Sequence, residues 1–334
     1  MPGKNPLASV FIPVRNEEEH IEECLNSLVN QDYPNDKYEI VIVDGKSEDQ
    51  TREIIKKFMK KHTHIRLIEN PELNVSAGRR IGVEESRGKY VIAFSGHSYA
   101  EPNFIRKLVE RLEKADDDIA GVGCRHETPP GDASTARAIG LAMSSTFGGA
   151  GTTFKHPEEE QVMDSIAFTA YRKKIIDEVG GPSNPDLERT GNDAELNLRI
   201  KEAGYKLLYI PDTTAYHHKK ESLSEFFKWS INYGIARAKI IKKHGWSSSK
   251  IYTIPTLLIL TLILTGILSF LNQVFFYLFL LELGGYLILA LASSIHSSQG
   301  QGLRYVPLVM SAYLTEHIGY GLGFLTGILG SGFI

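Results

Sequence analysis

The apolar positions of the first 125 residues change period in a regular way. Residues 9–14 are a short apolar run through Pro13, and residues 17–31 follow with Ile21, Leu25 and Leu28 at helical spacing. Residues 39–43, Glu-Ile-Val-Ile-Val, read as a second strand that stops at Asp44-Gly45. Ser47-Glu48-Asp49-Gln50 has the spacing of a capping box, so it is expected to open a helix carrying Ile54, Ile55 and Phe58. Further strands are expected over 65–68, 90–94 and 119–123. Helices are expected over 75–86, stopped at Gly88, and over 102–114, which begins with a proline. Strands alternating with helices of this length predict an α/β domain with a mixed, mostly parallel sheet between helices.

The pattern loosens over 128–160, where Gly, Ser, Thr and Pro suggest a long, partly mobile insertion. An ordered stretch over 164–171, an amphipathic helix over 193–203 ending at Gly204, and a last strand over 205–210 restore it. Residues 222–244 then form a helix of mixed character. Leu223, Phe226, Phe227, Ser230, Gly234 and Ala238 make one face, and Lys228, Arg237, Lys239, Lys242 and Lys243 supply positive charge. Two readings stand: a helix lying in the headgroup layer of a membrane, or an ordinary core-facing helix of the globular part.

Between Ile251 and Leu303 the only formal charge is Glu282. Three apolar segments, 251–271, 274–295 and 305–329, are each long enough to cross about 30 Å of hydrocarbon. The expected organisation is a globular domain over 1–220, an interfacial helix and linker over 221–250, and about three transmembrane helices over 251–334. Three crossings put Lys239–Lys250 and Arg304 on one side, which positive-inside placement makes the cytoplasmic one, and leave Ile334 outside. Glu316 and His317 lie within the third segment, so a two-span hairpin followed by a re-entrant third segment is the alternative. Gly319, Gly321 and Gly323 would let that helix approach a neighbour closely.

Composition changes this picture little. The net charge is −3 and no basic block suggests nucleic acid as a partner. Cys24 and Cys124, far apart, suggest a reducing compartment with no disulfide framework. The start, Met1-Pro2-Gly3-Lys4-Asn5, has no apolar leader, so the expectation is a multi-pass protein of the cell membrane with its globular domain cytoplasmic.

The chemistry sits at the strand ends, where open α/β sheets place ligands. Pro13-Val14-Arg15-Asn16-Glu17 ends the first strand and Val43-Asp44-Gly45-Lys46-Ser47 the second, and Asp44 there can accept hydrogen bonds from a base or a ribose. With the later Gly191-Asn192-Asp193-Ala194-Glu195-Leu196-Asn197-Leu198-Arg199, these motifs resemble the inverting glycosyltransferases of family 2, over about residues 7–220. The ordered set Val162-Met163-Asp164-Ser165, Ala170-Tyr171-Arg172, Gly180-Gly181 and Gly204, with an apolar tail, is similar to the succinoglycan-biosynthesis branch of glucosyltransferases.

The resemblance implies a GT-A fold and a nucleotide site lined by Pro13, Val14, Arg15, Asn16 and Asp44. It also implies Arg79 and Arg80 near the diphosphate, a solvated helix face being the alternative for at least one of them, and Ser95 and Gly96 where the family has its Asp-x-Asp motif. That motif binds Mn2+ or Mg2+, and the similar branch carries Asp-Ala-His. Here the segment is Ser95-Gly96-His97, which keeps the histidine and loses the carboxylate. His97, with His217 or His218, is then the expected metal-ligand set, and imidazole suits Mn2+ better than Mg2+. Asp193 stands where the family has its catalytic base, although Asn192 replaces the preceding glutamate; a helix N-cap is its structural alternative. Glu195 and Arg199 would orient the site, and Asp164 would touch donor or acceptor. The processive motif Gln-x-x-Arg-Trp is absent from the region before the apolar segments. The expected activity is therefore a single, inverting sugar addition from a nucleotide sugar, UDP by default, onto a polyprenyl (pyro)phosphate-linked or other membrane-held acceptor. Transfer directly onto polyprenyl phosphate and an inactive sugar-nucleotide-binding scaffold are the alternatives.

Overall fold

The computed structural model describes residues 7–149, 157–245 and 250–330. Its elements run β1 (Ala8–Val14), α1 (Ile21–Val29), β2 (Tyr38–Asp44), α2 (Thr51–Lys61), β3 (Ile65–Glu69), α3 (Val75–Glu85), β4 (Tyr90–Ala93), β5 (Ser98–Ala100), α4 (Phe104–Glu113), β6 (Ile119–Glu127), α5 (Ser134–Ser144), α6 (Thr146–Gly149), β7 (Gln161–Met163), β8 (Ala170–Arg172), α7 (Lys173–Glu178), α8 (Asn192–Glu202), β9 (Lys206–His217), α9 (Leu223–His244), α10 (Ile254–Leu268), α11 (Gln273–Ser297) and α12 (Val306–Leu329). They fall into two units. The first comprises residues 1–129 with 156–218, and the second 130–155 with 219–334.

The first unit is built on one sheet in the order β3-β2-β1-β4-β8-β6-β9-β5, with β7 also paired to β9. β3, β2, β1 and β4 are mutually parallel, as is the β6–β9 pair; β8, β5 and β7 run antiparallel to their neighbours. This is the mixed, mostly parallel sheet that the alternating pattern predicts. Side chains alternate along a strand, and both faces here are covered. Val10 and Ile12 of β1 pack with Leu25, Leu28 and Phe104, whereas Phe11 between them packs with Val83, Leu196 and Ile200 on the other face. Two buried faces explain why β1 and β2 read as continuous apolar runs.

Three local expectations change. α2 begins at Thr51, four residues after Ser47, because the Ser47 hydroxyl is spent on Asp44 and no side chain caps Gln50. β9 runs to His217, well past the residue-210 limit, so it carries the two histidines to the site. Residues 134–149 of the expected insertion form α5 and α6, which belong to the second unit; residues 150–156 lie outside the described residues.

In the second unit α9 lies against α12 with glycines between them. A Cβ on Gly234 would strike the Tyr320 carbonyl, and one on Gly323 the Ile231 carbonyl, both well inside contact distance. α10 and α11 form a hairpin through Asn272, whose side chain accepts from Val274 N and caps α11. Leu257, Leu264, Ile267, Leu281 and Ile288 point outward and are more than half exposed. Two helical segments, Ile251–Leu268 and Gln273–Ser297, are long and apolar enough to cross a membrane.

The third expected span, over α12, is not among these two: Glu316, His317 and its glycines interrupt its apolar run, and its Val309, Ala312, Tyr313 and His317 are buried inside the unit. His317 is hydrogen-bonded on both sides, to the Phe147 carbonyl at 3.1 Å and the Tyr286 hydroxyl at 3.1 Å.

Candidate active site

Four groups of polar side chains gather in the first unit beyond the carboxyl ends of β1, β2 and β4. The first surrounds Asp44, which is fully buried. Its Oδ1 accepts from the Ser47 hydroxyl at 2.6 Å, and the Arg52 guanidinium stands 3.5 Å from Oδ2. Asn16, with φ of +55°, donates its backbone N–H to the Ser47 hydroxyl oxygen (2.9 Å) and accepts the Glu48 N–H at Oδ1 (2.9 Å). An asparagine tolerates this left-handed backbone better than most residues. Asn16 thereby ties the turn after β1 to the turn after β2. Val14 pairs in register with Asp44, Pro13 packs against Gly78 of α3, and Arg15 is exposed, 3.5 Å from the Leu73 carbonyl.

The second group lies around His97. Its Nδ1 is 2.9 Å from Glu17 Oε1, and the Ser95 hydroxyl is 3.2 Å from Nε2. The His217 ring centre is 4.8 Å from that of His97, and His217 Nδ1 is 2.8 Å from the Ser98 hydroxyl. Gly96 is required by packing, since a Cβ there would come within 2.9 Å of Val14 Cγ1 and 3.1 Å of Glu17 Cγ. The chemistry of this set fits a divalent metal: two imidazoles fixed at Nδ1 by partners, with a hydroxyl beside them, suit Mn2+ more than Mg2+.

The third group pairs α3 with α8. Arg79 is buried, lies 5.7 Å over the Phe11 ring and holds Asp193 Oδ1 at 2.6 Å, while the Asp193 side chain stays 51% exposed. Arg79 therefore faces Asp193. Arg80 lies in an exposed network with Glu72 (2.6 Å) and Glu84 (3.0 Å). Asn192 shows why an amide stands before Asp193: Oδ1 accepts the Asn184 N–H (3.1 Å) and Nδ2 donates to the Leu187 carbonyl (2.7 Å). A carboxylate could make only the first bond. Gly191, at φ +87°, turns the chain into α8 so that Asp193 sits in its first turn. Glu195 is buried and paired with Arg199 at 2.8 Å. Burial pushes the Tyr171 hydroxyl far above its ordinary value, with the Asp193 carboxylate adding, and it hydrogen-bonds Asn197 at 2.8 Å.

The fourth group, His20, Glu23 and His218, has no counterpart among the expected sites apart from His218. His218 faces Glu23 at 2.9 Å and stacks on His20, apart from His97 and His217. Burial first, then the neighbouring His218 and His97, lower the pKa of His20. Asp164 pairs with Lys201 on the surface at 2.6 Å. Arg172 is structural, donating to the carbonyls of Leu112, Ala115 and Ile119. Sequence reading missed Glu17, Ser47 and Arg52 as partners, though Glu17 and Ser47 lie inside the motifs that it singled out.

Comparisons with known proteins identify the family and the fold. Residues 9–180 match the glycosyl transferase family 2 domain. A dolichyl N-acetyl-alpha-D-glucosaminyl phosphate 3-beta-D-2,3-diacetamido-2,3-dideoxy-beta-D-glucuronosyltransferase of Methanococcus voltae is 31% identical over 78% of this chain and 83% of its own length. The succinoglycan biosynthesis protein ExoA of Rhizobium meliloti is 24% identical over 96% of this chain and 94% of its own. Among solved structures, the mannosyltransferase PcManGT of Pyrobaculum calidifontis, in complex with GDP-Man and Mn2+, superposes with a TM-score of 0.58 at 17% identity, covering 96% of this chain and 88% of that one. That likeness concerns the fold, which is of the GT-A kind.

Proposed function

The chain belongs to glycosyl transferase family 2, and on that premise we propose that it moves one sugar, with inversion, from a nucleotide donor onto a lipid-linked glycan at a membrane. The observation that carries the reading is the Arg79–Asp193 pair. Arg79 fixes one carboxylate oxygen and leaves the other toward solvent, where it takes the proton of an acceptor hydroxyl as that oxygen attacks the anomeric carbon. The bond from that carbon to the donor diphosphate breaks on the opposite side, which inverts the configuration. Pro13, Val14, Arg15, Asn16 and Asp44 form the nucleotide side, with Ser95 and Gly96 closing it. His97 and His217, with Ser95 beside them, would hold a divalent metal, which when bound neutralises charge on the departing diphosphate. Glu17 and Ser98 keep those two imidazoles oriented.

Two features of the second unit support a lipid-linked acceptor. A cavity of about 520 Å³ is walled by Trp229, Tyr233, Leu258, Leu281, Tyr286 and Leu289, a volume and lining suited to an apolar chain. Behind it the Arg237 guanidinium lies 5.0 Å over Tyr233 and 4.2 Å over Tyr252. It is 5% exposed, and its Nε has no partner and no carboxylate pairs with it among the described residues. A buried cation of this kind favours an anionic head group such as a phosphate. The name of the Methanococcus voltae relative, which acts on a dolichyl phosphate already carrying a sugar, favours glycan extension over charging of the bare lipid phosphate. The two apolar segments cross as a hairpin in this reading. The basic end of α9 and Arg304 then share the cytoplasmic side, with α12 re-entrant beside the hairpin, its His317 bonded to Tyr286 of α11.

The test is donor turnover by detergent-purified protein with UDP- and GDP-sugars, polyprenyl-linked acceptors, and Mn2+, Mg2+ or EDTA. Turnover of one donor, a product one sugar heavier than the lipid-linked acceptor, and arrest by EDTA are expected. Transfer to water-soluble acceptors alone would reject the lipid-linked reading.

A further inference from the structure

β9 leads into two successive histidines, and successive side chains of an extended chain point to opposite faces. His217 turns to His97 and Ser98. His218 turns the other way, to the first turn of α1, where its Nε2 lies 2.9 Å from Glu23 Oε2 and its ring stacks on His20 with centroids 4.2 Å apart. His20 and Glu23 are three residues apart at the start of α1, so they share one helix face. The His20 side chain makes no cap hydrogen bond to α1, and its imidazole has no hydrogen-bond partner among the described residues. One donor atom from each of the three residues lies within 4.8 Å of the other two. Bonds of about 2.0–2.2 Å from imidazole or carboxylate to a transition metal place the donors of one ion roughly 3–4 Å apart. Small rotations about the side-chain bonds of Glu23, which is half exposed, and of His20 close that gap.

We propose that His20, Glu23 and His218 form a second divalent transition-metal site, separate from the His97–His217 pair. Two imidazoles and one carboxylate are a borderline donor set that takes Zn2+, Co2+ or Mn2+ in preference to Mg2+ or Ca2+. With three protein ligands, the remaining coordination positions fall to water. The ion is a positioning one. It ties the start of α1 to the end of β9, and the turn that immediately precedes His20 carries Asn16 and Glu17, which hold the Asp44 loop and His97.

The site is tested by titrating metal-stripped, full-length protein in detergent with Co2+, reading the visible absorption band of the bound ion and the metal retained after gel filtration. Relative to the natural protein, His20→Ala and Glu23→Gln should each lose one equivalent of cobalt, and that equivalent should persist in the double variant His97→Ala/His217→Ala. Glu23→Gln keeps size and shape at a half-exposed position, so its loss of metal does not stem from misfolding. Unchanged uptake and affinity in His20→Ala and Glu23→Gln would overturn the proposal. So would disappearance of that equivalent in the His97/His217 double variant, which would reveal a single shared site.

Discussion

At the scale of single residues, Arg79 and Asp193 separate two readings of the same arginine. The sequence motifs suggest a diphosphate contact for Arg79, whereas its guanidinium is buried against Phe11 and closed on Asp193. If its task is to orient the base, Arg79→Lys should lower kcat by about tenfold, the order expected from loosening one close ion pair at the base, and leave the donor KM unchanged. A rise in donor KM with kcat preserved would instead return Arg79 to the diphosphate. Asp193→Asn should reduce transfer by about 10²–10⁴-fold, the usual contribution of a general base, while nucleotide-sugar binding by calorimetry stays intact. Much of this site was legible because its residues fall in short motifs: Asn16, Asp44, His97 and Asp193 each end or begin an element in the sequence itself. Their partners were not legible. Glu17 meets His97 across 80 positions, and the direction in which each of two adjacent histidines points depends on the strand that carries them.

At the scale of elements, the period of apolar residues located the strands well, since β1 and β2 are buried on both faces and almost wholly apolar, with the buried Ser9 and Glu39 bonded to each other at 2.8 Å. It overextended the helices, because polar residues at their starts were spent on the site: Ser47 on Asp44, and Asp49 on Glu18 N–H at 3.1 Å. In α12 the glycines anticipated a close approach, and the structure shows which ones face α9. Gly323→Ala drives a methyl group into the Ile231 carbonyl, so it should destabilise the second unit by about 1–3 kcal/mol, the usual cost of overpacking. Gly284→Ala supplies the control. That position on α11 has no atom within 4 Å of an added Cβ, and alanine is the better helix former, so this change should be neutral or stabilising by up to about 1 kcal/mol. Thermal unfolding of both variants in detergent, followed by tryptophan fluorescence, distinguishes them. Equal melting temperatures would remove the backbone-to-backbone contact from the account of this unit.

At the scale of the whole molecule, the question is whether the apolar half only anchors the chain or also holds part of a substrate. Composition suggests three apolar segments, the third interrupted by Glu316 and His317. That helix is packed inside its unit, beside an apolar cavity and a buried arginine. An anchor needs neither. Gly285 lines the cavity and has open space around its Cβ position, so Gly285→Leu fills the cavity while strengthening α11 rather than breaking it. If the cavity receives the acceptor's apolar chain, this variant should retain donor hydrolysis and thermal stability but lose transfer to long-chain polyprenyl-linked acceptors. Acceptors with a truncated lipid, which owe less of their binding to the cavity, should suffer much less. Burial of one isoprene-sized increment is worth on the order of a few kcal/mol at about 0.8 kcal/mol per CH₂, so several such units outside the cavity should raise the acceptor KM by far more than tenfold. Equal activity of Gly285→Leu on long and short lipids would confine this half of the protein to anchoring, and the recognition of the acceptor would then rest on its glycan and phosphate alone.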